Sequence, residues 1–319
     1  MKRRAFLENT AKASLAGLFL SKTPYIPSPL FDNICVNLFS LPKTLEKDFV
    51  GGLQMLSTMG YKEIEMYGPY SFSTAKQKAY WKAIEPLVGF SGSGFFGRSI
   101  AETKSILKQT HLKVPSMHTD LDTLSTNMGP LAEAANELGA TYVVLPSLPE
   151  ENRKTIDDYK RTAELFNKIG AEAKSNGIRF AYHNHGYGLS KMDGILPLDI
   201  ILQQTDPSLV WLEMDLFWTT AGGADPIALL IANKGRYKLL HVKDMKKKVR
   251  FSGDGGTPNQ WTALWGEMTT AGDGVLDLKN ILAVAKENGL DHCVVEQDIV
   301  AHPEIALKRS FDFCAALKK

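Results

Sequence analysis

The chain has 319 residues, 44% of them hydrophobic, which is enough to bury one large core. Its formal charge is +2, but residues 1–22 alone net +4, so the remainder sits near −2. That balance excludes a strong general attraction to nucleic acid or to an anionic membrane surface. The three cysteines, Cys35, Cys293 and Cys314, show no CxxC spacing and form no disulfide framework; Cys35 and Cys293 lie in apolar runs and read as core residues.

Residues 1–22 stand apart from the fold. Lys2, Arg3 and Arg4 begin a charged segment, and the moderately apolar run 11–20 is too short to span a bilayer comfortably. Arg3-Arg4-Ala5-Phe6-Leu7 resembles the twin-arginine export signal, with Glu8 where a lysine is usual. No cysteine follows the apolar run, so no lipid anchor is expected at a signal-peptide cleavage site. The expectation is a periplasmic protein exported by the twin-arginine route, with residues 23–319 as its folded domain. That route carries proteins already folded, often with a cofactor bound.

Strand and helix signals then alternate. A strand over 34–39 is followed by helical spacing over 44–59 ending at Gly60, and a second strand over 61–67 places Glu63 and Glu65 on one face. Helices are predicted over 76–87 and 99–109, and a third strand over 114–120. A short helix over 130–139, a strand over 142–145 and a helix over 155–176 lead to the fifth strand at Phe180. A helix over 196–204, a sixth strand over 210–216 and a helix opened by Asp225-Pro226 follow, Asp as N-cap and Pro in the first turn. A seventh strand over 237–242, a helix over 278–288, an eighth strand over 292–296 and a helix over 304–317 complete the chain. Eight strands alternating with helices predict a single-domain α/β protein, a (β/α)8 TIM barrel; the absence of GxGxxG or a P-loop after the first strand argues against a doubly wound sheet.

In such a barrel the active site forms at the C-terminal ends of the strands. Those ends offer Glu65, His118, the pair His183 and His185, Glu213 with Asp215, His241 with Lys243, and Glu296 with Asp298. Alternation puts Ala181, His183 and His185 on one side of the fifth strand. Carboxylate, imidazole and carboxylate at three successive strand ends, after an imidazole pair, are within metal-ligand reach in a closed barrel. Mixed nitrogen and oxygen ligation suits one divalent ion among Mn²⁺, Zn²⁺, Fe²⁺, Co²⁺ and Mg²⁺.

The blocks WLEMDLFWTTAGGADP, LLHVKDMK, AGDGVLDLKNI and VVEQD, with YHNHG in the fifth strand, resemble the sugar phosphate isomerase/epimerase family with a xylose-isomerase-like barrel. The resemblance runs from about Ile34 to the end. It implies a TIM barrel and a divalent metal held by Asp215, His241 and Glu296. The family's first glutamate has no direct match, and His183 occupies that strand end. Many relatives carry a glutamate where this chain has Gly188 in HGYGL.

The resemblance implies an isomerase or epimerase acting on a sugar or keto-sugar through an enediolate, with β-elimination on oxidised glycosides as the alternative. Glu296 is the expected base, His183 or His185 a second base, and Lys243 a stabiliser of developing negative charge. Glu65 and His118 are expected to hold sugar hydroxyls, and Trp218 to offer an apolar face to a sugar ring, with His185 beside it. A nuclease would need more histidine ligands and a basic groove. A carbohydrate-binding barrel with a decayed metal site is the remaining reading. The partner expected is a small carbohydrate, with no stable membrane anchor; a homo-oligomer is compatible with the composition. The glycine-rich stretch 250–261, RFSGDGGTPNQW, leaves from the active-site side and is placed to act as a lid.

Overall fold

The computed structural model describes residues 28–318, so the segment 1–22 that resembles an export signal lies outside the described residues. Eight parallel strands close into a barrel. They are β1 (Cys35–Asn37), β2 (Glu63–Tyr67), β3 (Lys113–His118), β4 (Tyr142–Leu145), β5 (Arg179–His183), β6 (Val210–Asp215), β7 (Tyr237–Val242) and β8 (His292–Val295). Each pairs with its sequence neighbours, and β8 pairs with β1 to close the ring. Helices occupy the crossovers, as the alternating sequence pattern predicts, and the family of folds is the TIM barrel.

Several helices start where a side chain satisfies their first N–H groups. Thr155 and Asp158 form a capping box on Ile156–Ser175, Ser99 and Glu102 one on Ile100–Thr110, and Asp225 caps Pro226–Ala232. The helix expected over 44–59 is broken into Pro42–Lys47 and Phe49–Met59, because Asp48 adopts an extended conformation and caps the second piece through the Gly51 N–H. The stretch after β7 is folded. Asp244–Met245 pairs antiparallel with Met268–Thr269, and Pro258–Trp265 is a helix with a Thr257–Gln260 capping box.

Inside the barrel Tyr142, Val144, Ala181 and Leu239 pack as an apolar layer. Two residues further along their strands, His183 and His241 point the same way as Ala181 and Leu239. The register sets His183 opposite Glu213 and Asp215 opposite His241. A polar cluster is therefore stacked on the apolar layer at the C-terminal mouth.

Candidate active site

Ten groups from the strand ends meet there. Glu65, Glu213, Asp215 and His241 are wholly buried, and His183, Lys243, Glu296 and His118 are 2%, 3%, 6% and 6% exposed. Buried charge at this density persists only when paired and hydrogen-bonded. His241 lies between two carboxylates, Nδ1 at 2.5 Å from Glu296 Oε2 and Nε2 at 2.6 Å from Glu65 Oε2. Burial works against a charged imidazole, yet Glu213, Glu296 and Glu65 together hold His241 well above its usual range, so both ring nitrogens donate. His118 Nε2 lies 2.8 Å from Glu213 and 3.1 Å from Glu65; burial again opposes the charge, and these two carboxylates raise it to about 9.

His183 behaves in the opposite way. Its Nδ1 lies 2.8 Å from Glu213 Oε2, and its Nε2 faces Asp215 Oδ2 at 3.7 Å. Burial keeps it below the ordinary histidine range, so it is neutral, with the proton on Nδ1 and a lone pair on Nε2. His185 is held well below that range by burial and by His183 and Lys243 nearby. Its ring stacks on Trp261 at 4.6 Å, and its buried Nδ1 has no hydrogen-bond partner among the described residues.

Asp215 serves two ends. Oδ1 accepts from the Trp218 N–H at 2.8 Å and caps the helix Leu216–Ala221, while Oδ2 lies 3.0 Å from Lys243 Nζ, out of hydrogen-bond alignment. Lys243 Nζ also touches Glu296 at 2.6 Å and Asp298 at 2.8 Å. Burial opposes its charge, and the three carboxylates raise it well above the usual lysine range. The two neighbouring carboxyls separate. Glu296 is depressed despite burial, through Lys243 and His241, whereas burial and the nearby Glu296 charge push Asp298 up to about 7 against the pull of Lys243.

Above this floor lies a cavity of about 230 Å³, walled by His118, His183, His185, Lys243, Glu296 and Asp298 among others. Trp218 also lines it, its ring stacked on Phe251 at 5.4 Å with the Lys243 ammonium 5.3 Å from its centroid. Glu65 does not reach the cavity. Its oxygens are taken by Ser116, Asn37, His241 and His118, so it orients imidazoles and is not available to sugar hydroxyls as the sequence suggested. At Gly188, where relatives carry a glutamate, the backbone itself restricts substitution. It sits in the left-handed region at φ +82°, and a Cβ there would meet the Tyr159 hydroxyl at 3.4 Å.

Two kinds of residue escaped the sequence reading. Glu213 was visible only as the alternation partner of Asp215, yet it touches both His183 and His118. Trp261 comes from the stretch after β7, which covers the mouth as an anchored roof. Arg153 Nη1 binds Asp254 at 2.9 Å and Nη2 the Gly256 carbonyl at 2.5 Å, while the Trp261 indole donates to the Gly255 carbonyl at 2.7 Å.

Among the described residues two sets have the spacing to hold a metal ion: His118, His183, Glu213 and His241, and Asp215, His241 and Glu296, with donor atoms within 4.8 Å of one another in each set. Residues 53–317 match the family described as Xylose isomerase-like TIM barrel. The chain belongs to this family. A sugar phosphate isomerase/epimerase from Parabacteroides distasonis superposes on this xylose isomerase-like barrel with a TM-score of 0.68 at 24% identity, covering 90% of this chain and 95% of that one. The IOLI protein, solved with a bound zinc atom, gives 0.60 at 18% identity over 88% and 95% of the two chains. Both likenesses show the fold. Inosose dehydratases of Clostridium beijerinckii and Clostridium perfringens are 29% identical over 171 residues and 32% identical over 159. These segments cover 51% and 48% of this chain and 53% and 52% of the relatives, so the chain spans about half the length of the curated relatives it matches.

Proposed function

We propose that this xylose isomerase-like barrel is a metal-dependent lyase acting on a keto-polyol. It removes the proton beside a carbonyl and expels an oxygen from the next carbon. The observation that carries this reading is the meeting of Lys243 Nζ with Glu296 and Asp298 in the cavity wall, at 2.6 and 2.8 Å. One carboxyl is held ionised and its neighbour is pushed up to about 7. Two carboxyls whose environments drive them apart in this way are a base and an acid side by side.

The donor set fits a divalent ion. Glu213 takes the Nδ1–H of His183 and leaves Nε2 free to ligate, the arrangement in which a carboxylate orients a metal-bound histidine. We assign His183, Asp215, His241 and Glu296 as the ligands, with Glu213 and Glu65 as supports; binding an ion there would displace one proton of His241. A divalent ion held there would polarise a bound ketone and so acidify the adjacent C–H. Glu296 takes that proton. Asp298 gives its own proton to the departing oxygen, which leaves with the bonding pair, and the C–H pair becomes the new double bond. Lys243 lies against both carboxyls and balances the charge as it moves from one to the other. In this reading His118 and His185, which line the cavity, hold substrate hydroxyls.

Isomerisation or epimerisation shares the first step but must return the proton to carbon. A protonated Asp298 beside the base favours expulsion of oxygen instead, and relatives named inosose dehydratase support a dehydration of this class. Incubation with a cyclic keto-polyol such as an inosose in D₂O, followed by proton NMR with Zn²⁺, Mg²⁺ or chelator, separates the possibilities. The expected result is metal-dependent loss of the α-proton signal with an unsaturated product. A saturated isomer would replace the lyase by an isomerase; no exchange with any divalent ion would overturn both.

Residues 1–22 are proposed as a twin-arginine signal that delivers the protein to the periplasm. Arg3→Lys with Arg4→Lys should leave it in the cytoplasm. Unchanged periplasmic delivery in a strain lacking that route would overturn the proposal.

A further inference from the structure

The cavity does not stop at the charged cluster. It runs outward along the helix Ala75–Val88, where Tyr80, Trp81, Ile84, Leu87 and Val88 line it from one stripe of the helix. Of this helix only Val88 is buried, whereas Ile156–Ser175 buries seven residues against the barrel. Tyr80 and Leu87 remain 48% and 45% exposed. An amphipathic helix normally seats such a stripe on the core; here it faces the space that contains Lys243 and Glu296.

Two rings of this wall have their polar ends satisfied elsewhere, while the Trp265 indole N–H has no partner among the described residues. The Tyr67 hydroxyl donates to the Gly92 carbonyl and the Trp81 indole to the Ser91 carbonyl, both at 2.8 Å, so these rings turn satisfied ends away. On the opposite side the cavity is lined by Trp261 and Trp265 from the roof. Sugar-sized polar ligands would leave both aromatic walls wet, and contiguous apolar surface of this kind marks a binding site.

We propose that the outer half of the cavity is a second subsite for an apolar, ring-sized group attached to the polyol. The substrate is then a conjugate, its polyol ring against Lys243, Glu296 and Asp298 and an aryl-type group between Tyr80, Trp81 and Leu87. The polar half rests on the lyase reading; the apolar half rests on the helix stripe and its continuity with the same cavity.

The test is calorimetric titration of three probes: 4-methylumbelliferyl β-D-glucopyranoside, methyl β-D-glucopyranoside and free 4-methylumbelliferone. They are compared on the wild type, on Tyr80→Ser with Leu87→Ser, and on Glu296→Gln. Tyr80 and Leu87 are half-exposed and outside the charged cluster, so the double variant keeps its fold, verified by its melting curve. The aryl glucoside is expected to bind about tenfold tighter than the methyl glucoside, with the advantage falling below about threefold in the double variant. Equal binding of the two glucosides to wild type, or an advantage that survives in the double variant, overturns the subsite. A change in sedimentation of the double variant with no change in binding makes the stripe a contact between copies and overturns it too. If Glu296→Gln leaves the methyl glucoside unaffected while the double variant loses 4-methylumbelliferone, the lyase reading falls and the apolar subsite stands.

Discussion

Lys243→Met removes the ammonium that, among the described residues, faces Asp215, Glu296 and Asp298, at 3.0, 2.6 and 2.8 Å, from a site where the lysine is 3% exposed. Deleting one partner of a buried pair costs about 3–5 kcal/mol, because the remaining charge is left unpaired. Methionine keeps most of the side-chain volume, so packing losses are the smaller effect. Protonation of the stranded carboxylates relieves part of the cost. Asp298 already stands at about 7, and losing the cation raises it further. A carboxyl raised in the folded state favours the fold at low pH and loses that advantage as pH rises, so the penalty sits near the low end at about pH 6 and the high end at about pH 8. For a barrel of this length the entropy of unfolding is about 0.6 kcal/mol per degree, so Tm should fall by roughly 5–8 °C. Differential scanning calorimetry in chelator at both pH values, then with Zn²⁺, reads the effect. Zn²⁺ should recover more in the variant than it adds to the wild type, because it supplies the missing positive charge. A Tm unchanged to within about 1 °C at the higher pH would show that these carboxylates do not depend on Lys243.

Asp215→Ala and His241→Ala should each abolish retention of about one divalent ion per chain; stoichiometric metal in both variants, by elemental analysis, would remove them from the ligand set. Glu213→Gln should weaken binding by about 10–100-fold in a competitive chelator titration, since the charge that orients His183 is lost; unchanged affinity would deny Glu213 that role. His183→Glu should shift preference from Zn²⁺ toward Mg²⁺ and weaken the pH dependence of binding, and no change in either would place His183 outside the ligands. Asp298 has a folded value of about 7, above its unfolded one, so the stability it contributes is complete below about pH 4 and is lost as pH rises toward 7. Asp298→Asn should flatten that part of the pH–stability curve in chelator, by at most about 1.4 kcal/mol per pH unit; the same slope in both proteins would assign it to another group.

The barrel was legible because strand and helix patterns alternate and several helices are punctuated by local chemistry, such as Asp225-Pro226 and the Thr155–Asp158 cap. Period-two alternation also found every strand end that contributes to the cluster. It could not say which inward carboxylate lies under the floor and which lines the cavity. Glu65 and Glu296 look alike in sequence, and they differ because Asn37, Ser116 and His118 from the neighbouring strands and His241 from across the barrel enclose Glu65. Glu213 gained its place through a register irregularity between Leu212 and Glu213 where β6 meets β7, a property of the sheet and not of either strand. The folded roof had a readable signal, Thr257-Pro258 followed by Gln260, a capping box preceding Trp261 and Trp265. The short helix Leu216–Ala221 did not stand out, because the aspartate that caps it also belongs to the strand-end cluster.

The Arg153 clamp has a consequence for the steadiness of the roof. Its guanidinium holds Asp254 and Gly256, its Nε donates to the Leu148 carbonyl at 3.0 Å, and its plane lies 4.3 Å from the centre of the Tyr187 ring. The loop after β4 and the stretch after β7 are thereby stapled to each other. Both flank residues that line the cavity, Pro146 and Ser147 on one side of the clamp and Pro258 and Trp261 on the other. One guanidinium therefore couples two stretches of chain more than a hundred residues apart, and the roof that carries Trp261 is as steady as the loop that carries Arg153.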